Sequence, residues 1–424
     1  MMDATLPRAW QALGIATLAF SANFSVWILY AVLAIDIQEQ LQLSGFKLGI
    51  LLSAPMLSGS LLRIPVGIWA EYTAARTLWI WQMVLTLPAL LLLPFISTYA
   101  GFILIGLWIG ISGVSFTLGV RYVTDWFARS QQGTALGIFG AGNAGAAISF
   151  VLLPIFVHWL DWPWTGPLYA GGLFIMLCIF VGLAPKTPHY VPRATSPWRE
   201  QLIPLRESRV WRFGLYYYFV FGSFLALIMW LPQYYMQAYE LPFAQAMGFT
   251  LFFVTTSSMV RALGGWLADR YGGQIVNWSV FWVCLVCLFF LSYPPTTMTI
   301  HGLERDVVLH IEVNVWLFTA LMFVIGIAQG LGRASVFKVL NNYYPQQMGS
   351  VGGMVAALGG LGGFSLPILF GLVQDLLGIA SGAFMVLYAV LALCMMVMFL
   401  AIRAERFRHA IEDAKANDFF RDEV

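Results

Sequence analysis

Charge is what this chain has least of: 10% of its 424 residues are Asp, Glu, Lys or Arg, where a soluble domain carries about 25%. With 60% hydrophobic residues and a mean hydropathy of +0.79, a water-soluble fold is excluded. Cysteine is also scarce. All four, Cys178, Cys284, Cys287 and Cys394, sit in apolar runs, so no disulfide is expected. Cys284 and Cys287 spell CxxC, but no second ligand pair accompanies them, and they read as small hydrophobes rather than as a metal or redox site. The five histidines lie at the ends of apolar runs or between them, and no carboxylate falls near the middle of one. Asp36, Glu71, Asp125, Asp269 and Asp375 are all near ends. No HExxH and no nucleophile elbow is present, so no metal, no cofactor and no enzymatic reaction is expected. A net charge of +2 is too small to imply a nucleic-acid partner.

What the chain has in quantity is unbroken apolar sequence. Runs such as Leu173 to Leu183 lack the alternation of membrane-barrel strands, and their lengths suit helices of about 20 residues. Twelve spans are expected, at 10–35, 46–70, 76–97, 99–124, 132–157, 166–184, 212–238, 243–268, 275–294, 314–343, 349–376 and 380–403. The expected fold class is therefore all-α, a polytopic membrane protein in contact with the lipid bilayer. The first span is too long for a signal h-region and is expected to remain on the mature protein. Most of the 22 Lys and Arg flank one side of these spans, with Lys47 and Arg305 on the other. The positive-inside rule then puts both termini and the long central loop in the cytoplasm of a bacterial inner membrane.

The polar stretch 185–211 divides the spans six and six. The expected organisation is an N-terminal bundle over 1–184, a cytoplasmic linker over 185–211, a C-terminal bundle over 212–403 and a cytoplasmic tail over 404–424. Landmarks recur between the halves: Arg63, Gly67 and Glu71 match Arg261, Gly265 and Asp269 in spacing, Gly106/Gly110 match Gly326/Gly330, and Gly142/Gly145 match Gly359/Gly362. Three matched pairs in the same order argue for duplication. Two six-helix bundles related by an axis along the membrane normal are the major facilitator architecture. Gly265-Trp-Leu-Ala-Asp269-Arg-Tyr-Gly-Gly273 resembles that superfamily's loop motif, and Gly67 to Arg76 is a degenerate copy.

Arg63 and Arg261 each have apolar residues on both sides, and a guanidinium in a bilayer costs at least about 2.5–3.5 kcal/mol. Each stands eight residues, or about 12 Å, from its helix-end acid (Glu71, Asp269), beyond direct pairing in one helix. Duplication would set them facing one another across a central cavity, where two fixed positive charges invite an anion. The planar guanidinium fork suits a planar oxyanion better than a lysine does. Glycines crowd the fifth span (Gly137, Gly140, Gly142, Gly145) and the eleventh (Gly359, Gly360, Gly362, Gly363). They serve either helix packing or close approach to a ligand. Asn143 offers an amide, either to a neighbouring helix or to a ligand. Gly140 to Gly145 also fits GxGxxG, but no strand precedes it and the dinucleotide reading fails.

The strings Gln132-Gly-Thr-Ala-Leu-Gly137-Ile-Phe-Gly140-Ala-Gly142-Asn143-Ala-Gly145 and Val351-Gly-Gly-Met-Val-Ala-Ala-Leu-Gly359-Gly360-Leu-Gly362-Gly363-Phe-Ser-Leu-Pro367, with one arginine per half, resemble the signatures of the nitrate/nitrite porters of the major facilitator superfamily. The resemblance covers nearly the whole chain. It implies that Arg63 and Arg261 hold the oxygens of nitrate or nitrite, that Phe116, Tyr217 and Phe221 sandwich the flat anion, and that Asn143, Gly142 and Gly360 line the site. Gly137, Gly140, Gly145, Gly359, Gly362, Gly363, Glu71 and Asp269 are expected to serve gating or helix packing. The tenth span departs from the family by carrying Arg333 where asparagine is more usual; Arg333, Arg121 and Lys338 are read as snorkelling to the interface, with gating or anion attraction as the alternative. The expected activity is nitrate/nitrite exchange by a monomer, with proton symport, a short-carboxylate carrier and a membrane nitrate sensor as rivals.

Overall fold

The structure is a computed structural model in which residues 6–127, 132–159, 161–186, 200, 202–301, 306–344 and 348–419 are described. Among them twelve helices are long and apolar enough to cross a membrane. They are α1 Pro7–Leu41, α2 Gly45–Tyr72, α3 Ala75–Phe95, α4 Tyr99–Thr124, α5 Ala135–Leu153, α6 Trp162–Leu183, α7 Ser208–Tyr239, α8 Phe243–Tyr271, α9 Gly273–Ser292, α10 Val315–Leu340, α11 Val351–Leu377 and α12 Gly382–Phe407. The twelve-span, major facilitator expectation stands. An even number of crossings puts the two ends of the bundle set on one face, the terminal face, leaving an opposite face at the other end of each helix.

Two boundaries differ from expectation. Helix α7 begins at Ser208, inside the stretch read as linker, while residues 187–199 and 201 of that stretch lie outside the described residues. The final helix runs unbroken from Gly382 to Phe419, so the first part of the expected tail is a helical extension of α12. Its Ala, Glu, Lys and Arg content favours this, because these residues lose little in a helix.

The helices are bent where their sequences require it. Prolines lie inside α2 (Pro55), α3 (Pro88), α7 (Pro232) and α11 (Pro367), and each removes a backbone donor from its helix. Tight turns of 3-10 type interrupt α4 at Gly110–Val114 and α5 at Ala141–Ala144, and a π turn widens α7 at Tyr218–Gly222. In both α2 and α8 the regular helix lapses at the residue before an arginine: Leu62 precedes the segment Arg63–Tyr72, and Val260 precedes Arg261–Tyr271. The duplication inferred from spacing thus extends to local backbone form.

The two bundles press together through α2 against α11. A Cβ on Gly371 would lie 2.0 Å from the Gly45 carbonyl oxygen, and one on Gly49 would lie 2.4 Å from that of Pro367. Only glycine allows backbones this close. At the opposite face the Asp375 carboxylate, on α11, accepts the backbone N–H groups of Gly45 and Phe46 at the start of α2, at 3.0 and 2.8 Å. Gln233 of α7 donates to Gln38 of α1 at 2.6 Å on the same side.

One element was not expected. Between α9 and α10 the chain forms an antiparallel hairpin, β1 Thr296–His301 with β2 Asp306–Ile311, paired from Thr296↔Ile311 to His301↔Asp306.

Candidate functional site

Arg63 is 1% exposed and Arg261 8% exposed. The 3-10 turn in α4 presents the Gly113 carbonyl to Arg63, which donates to it from Nε at 3.2 Å and from Nη2 at 3.1 Å. Its Nη1 donates across the bundle boundary to the Ala356 carbonyl of α11 at 3.3 Å. Aromatic faces surround it: the guanidinium carbon is 4.9 Å from the Trp27 ring centre, 5.6 Å from Phe221 and 5.7 Å from Phe116. Such faces attract a cation through the ring quadrupole.

Arg261 reaches the other way. Its guanidinium lies against Gly140 of α5, about which a Cβ would be 3.1 Å from Cζ, and 5.5 Å from the same Phe116 ring. Phe116 is therefore within cation–π reach of both arginines. The two guanidiniums also repel one another electrostatically. Tyr217 stacks on Phe221 with ring centres 5.0 Å apart and packs edge-on against Phe337. The expected arginines and all three expected aromatics are thus brought into one cluster.

The polar inventory of this cluster is one-sided. Nη1 of Arg261, Nδ2 of Asn143 and Oγ of Ser60 are buried without a hydrogen-bond partner. A buried donor left unsatisfied costs about 1–3 kcal/mol, more when charged. No carboxylate is paired with Arg63, Arg261 or Arg333 among the described residues; the helix-end acids are engaged elsewhere. Glu71 pairs with Arg121 at 3.4 Å, and Arg121 also pairs with Asp125. Asp269 pairs with Lys338 at 2.5 Å. The inventory is one-sided in charge rather than in hydrogen-bonding type, since the Ser60 hydroxyl and the unpartnered Gln329 Oε1 can accept; the ligand that suits the uncompensated guanidiniums bears negative charge.

The glycines divide by what they touch. Gly359 lies under the Tyr217 ring, where a Cβ would come within 2.3 Å, and Gly362 lies against the Gly222 backbone. Gly363 meets Leu225, Gly145 meets the Ser21 carbonyl, and Gly140 meets Arg261. Gly142 packs on Phe20 of α1, and Gly360 packs on the Ser60 hydroxyl of α2. Gly142 is thus at a helix contact, and Gly360 stands beside the unpartnered Ser60 hydroxyl. Gly137, expected to serve packing or gating, meets nothing within 4 Å.

Arg333 was read as snorkelling, and the structure corrects this. It is 0% exposed, with Nη2 donating to the Ser257 hydroxyl at 2.7 Å and to the Ser257 carbonyl, and Nε to the Gln329 carbonyl at 3.4 Å. Its guanidinium sits 3.9 Å over the Phe224 ring, its Nη1 has no partner, and its charge repels that of Arg261. Arg121 is buried, its charge held by Glu71 and Asp125, whereas Lys338 pairs with Asp269 where both side chains reach the surface, as the snorkelling reading expects. No sequence spacing signals the Ser257 and Phe224 environment, nor the carbonyl partners Gly113 and Ala356.

Comparison with known proteins agrees with this architecture. The Major Facilitator Superfamily model matches residues 15–304. A probable nitrate/nitrite antiporter of Thermus thermophilus is 34% identical over 408 residues, covering 93% of this chain and 92% of the relative. A nitrite extrusion protein of Bacillus subtilis is 27% identical, covering 88% and 90%. A probable nitrate transporter of Staphylococcus epidermidis is 26% identical, covering 92% and 97%. Among solved structures, a bacterial homologue of the human lysosomal transporter Spinster, inward-facing and unoccupied, superposes with a TM-score of 0.69 at 14% identity, covering 94% of this chain and 98% of that one. That likeness concerns the fold alone. Matched along nearly its whole length by such relatives, and carrying the buried Arg63 and Arg261 at equivalent places in its two halves, the chain belongs to the nitrate/nitrite porter family of the Major Facilitator Superfamily.

Proposed function

We propose that this protein carries nitrate and nitrite across a bacterial inner membrane by alternating access, exchanging one for the other while the anion is held between Arg63 and Arg261. The observation that carries the reading is the buried pair of guanidiniums with no acidic partner, one of them with an unsatisfied Nη1. A planar oxyanion meets this demand with two oxygens at once, and Phe116, which faces both arginines, offers a flat wall for it. The relatives named as nitrate and nitrite transporters support the choice of anion. Like charges repel when no anion bridges them, so the empty carrier resists the closure that the occupied one undergoes. Exchange follows from that difference. Basic residues such as Arg206, Arg209 and Arg212 on the terminal face support a cytoplasmic position for it.

The test is counterflow. Proteoliposomes loaded with nitrite should take up labelled external nitrate, and empty ones should not. Equal uptake into both, driven by an imposed pH gradient, would replace exchange with proton symport. Competition by formate or acetate as strong as that by nitrite would replace nitrate with a short carboxylate, and binding without any flux would make the protein a sensor.

A further inference from the structure

The two halves differ sharply in one connection. Helices α3 and α4 are joined by residues 96–98, whereas the equivalent pair α9 and α10 is joined by residues 293–314, which contain the β1–β2 hairpin. An isolated two-stranded hairpin is at best marginal in water, and this one is exposed along nearly its whole length.

Its register sorts the side chains. Directly opposed residues share a face, so Thr296, Met298, Ile300, Val307, Leu309 and Ile311 lie on one side, and Thr297, Thr299, His301, Asp306, Val308 and His310 on the other. The first face is apolar apart from Thr296. The second is polar apart from Val308, and its polar groups are partnered: Thr297 with His310 and His301 with Asp306, both at 3.0 Å. On the apolar face Met298, Ile300, Val307, Leu309 and Ile311 are each 41–44% exposed. Among the described residues no other element packs extensively against either strand, so packing within the protein does not account for this segregation.

The surroundings indicate what covers it. The hairpin is tied to the ends of two membrane-crossing helices by residues 293–295 and 312–314, and the Tyr239 hydroxyl holds the second tie through the Val313 carbonyl at 2.9 Å. Exposed Phe289, Phe290 and Tyr293 lead into it and exposed Trp316 and Leu317 lead out. Aromatic residues at helix ends mark the bilayer interface, so the apolar face continues a lipid-facing belt. We infer that the hairpin lies flat on the lipid leaflet at the opposite face, its apolar side in the headgroup–acyl boundary and its polar side in water, as an amphipathic helix does. It gives the C-terminal bundle a leaflet anchor for which the three-residue connection of the other half has no room.

The alternating pattern makes this testable, and the result does not depend on which anion is carried. Single cysteines replace Val307, Val308, Leu309 and His310 in a chain with Cys178→Ala, Cys178 being the exposed native thiol. They are spin-labelled and reconstituted in phosphatidylcholine–phosphatidylglycerol bilayers. Accessibility is read with oxygen, which partitions into lipid, and with a water-soluble nickel chelate. The oxygen-to-nickel ratio should be several-fold higher at 307 and 309 than at 308 and 310, in variants that keep the circular dichroism and gel-filtration profile of the parent protein. High nickel access at all four positions would overturn the inference by placing the hairpin in solution. Low access to both reagents at 307 and 309, with spin–spin broadening that depends on protein density, would overturn it in favour of a second copy of the chain.

Discussion

Gly371→Ala is a direct probe of how the opposite face closes. The new methyl would stand 2.0 Å from the Gly45 carbonyl oxygen, 2.4 Å from its carbon and 2.8 Å from the Phe46 nitrogen, where ordinary contact begins at 3.4 Å. All three are backbone atoms and cannot swing aside, so α2 and α11 must part. Overpacking of this kind costs about 1–3 kcal/mol. The cost falls only on the state in which these helices touch, because in a state open at that face the methyl meets solvent or cargo. The balance between the two should shift by about 5- to 150-fold toward the open one. Spin labels at Lys47 and Leu376, exposed positions beside the contact on α2 and α11, should show a new longer distance, and counterflow should slow because closure has become costly. Gly137→Ala, whose methyl meets nothing within 4 Å, is the control and should change neither. Unaltered distances and flux in Gly371→Ala would mean that α2 and α11 do not bear on each other there.

Arg63→Lys and Arg261→Lys should each weaken nitrate binding about 10- to 150-fold, the equivalent of a lost charged hydrogen bond of about 1.5–3 kcal/mol; near-normal KM in both would remove them from the site. Asp375→Asn keeps the shape of the cap on α2 but loses its charge, worth about 0.3–1 kcal/mol at an exposed helix start, and one of the two hydrogen bonds, because the amide nitrogen cannot accept from a backbone N–H. It should therefore raise the open population at the opposite face modestly in the same distance measurement, and a drop in that population would contradict the role. For Arg333, a unit charge acting over roughly 10 Å at an effective dielectric constant of about 20 contributes about 1.7 kcal/mol to anion binding. Arg333→Gln should accordingly raise the KM for nitrate more than tenfold, by the same conversion, while Arg333→Lys restores much of it; equal losses in both would show that Arg333 acts through packing alone.

Most of the fold was legible because the bilayer demands long apolar runs, and such runs are visible in hydropathy with no knowledge of packing. The repeat was legible for a related reason: Arg63 and Arg261 keep the same spacing to Gly67/Glu71 and Gly265/Asp269. The hairpin escaped because it is written in a different period. Met298 and Ile300 alternate with threonines, and Val307, Leu309 and Ile311 with Val308 and His310, while the preceding Pro294-Pro295 ends the helical run, a strand signal that a search for spans passes over. Arg333 escaped because its burial depends on Ser257 and Phe224, which arrive from other helices. Distance from the end of a span could only suggest an interface. The same limit applies to Gly137, Gly142 and Gly360. Spacing reveals that glycines cluster, but whether a given one meets a ring, a hydroxyl or open space is decided by the partner helix.

The scarcity of negative charge around the buried arginines has an electrical consequence. Loading a monovalent anion changes the net charge of the carrier by one, so its loaded and empty transits differ in how they sense the membrane potential. A potential of 100 mV does about 2.3 kcal/mol of work on each elementary charge that crosses, enough to oppose an anion entering an electrically negative interior by nearly fifty-fold. A cycle that moves one nitrate inward and one nitrite outward cancels this work, and its rate at saturation should be indifferent to voltage.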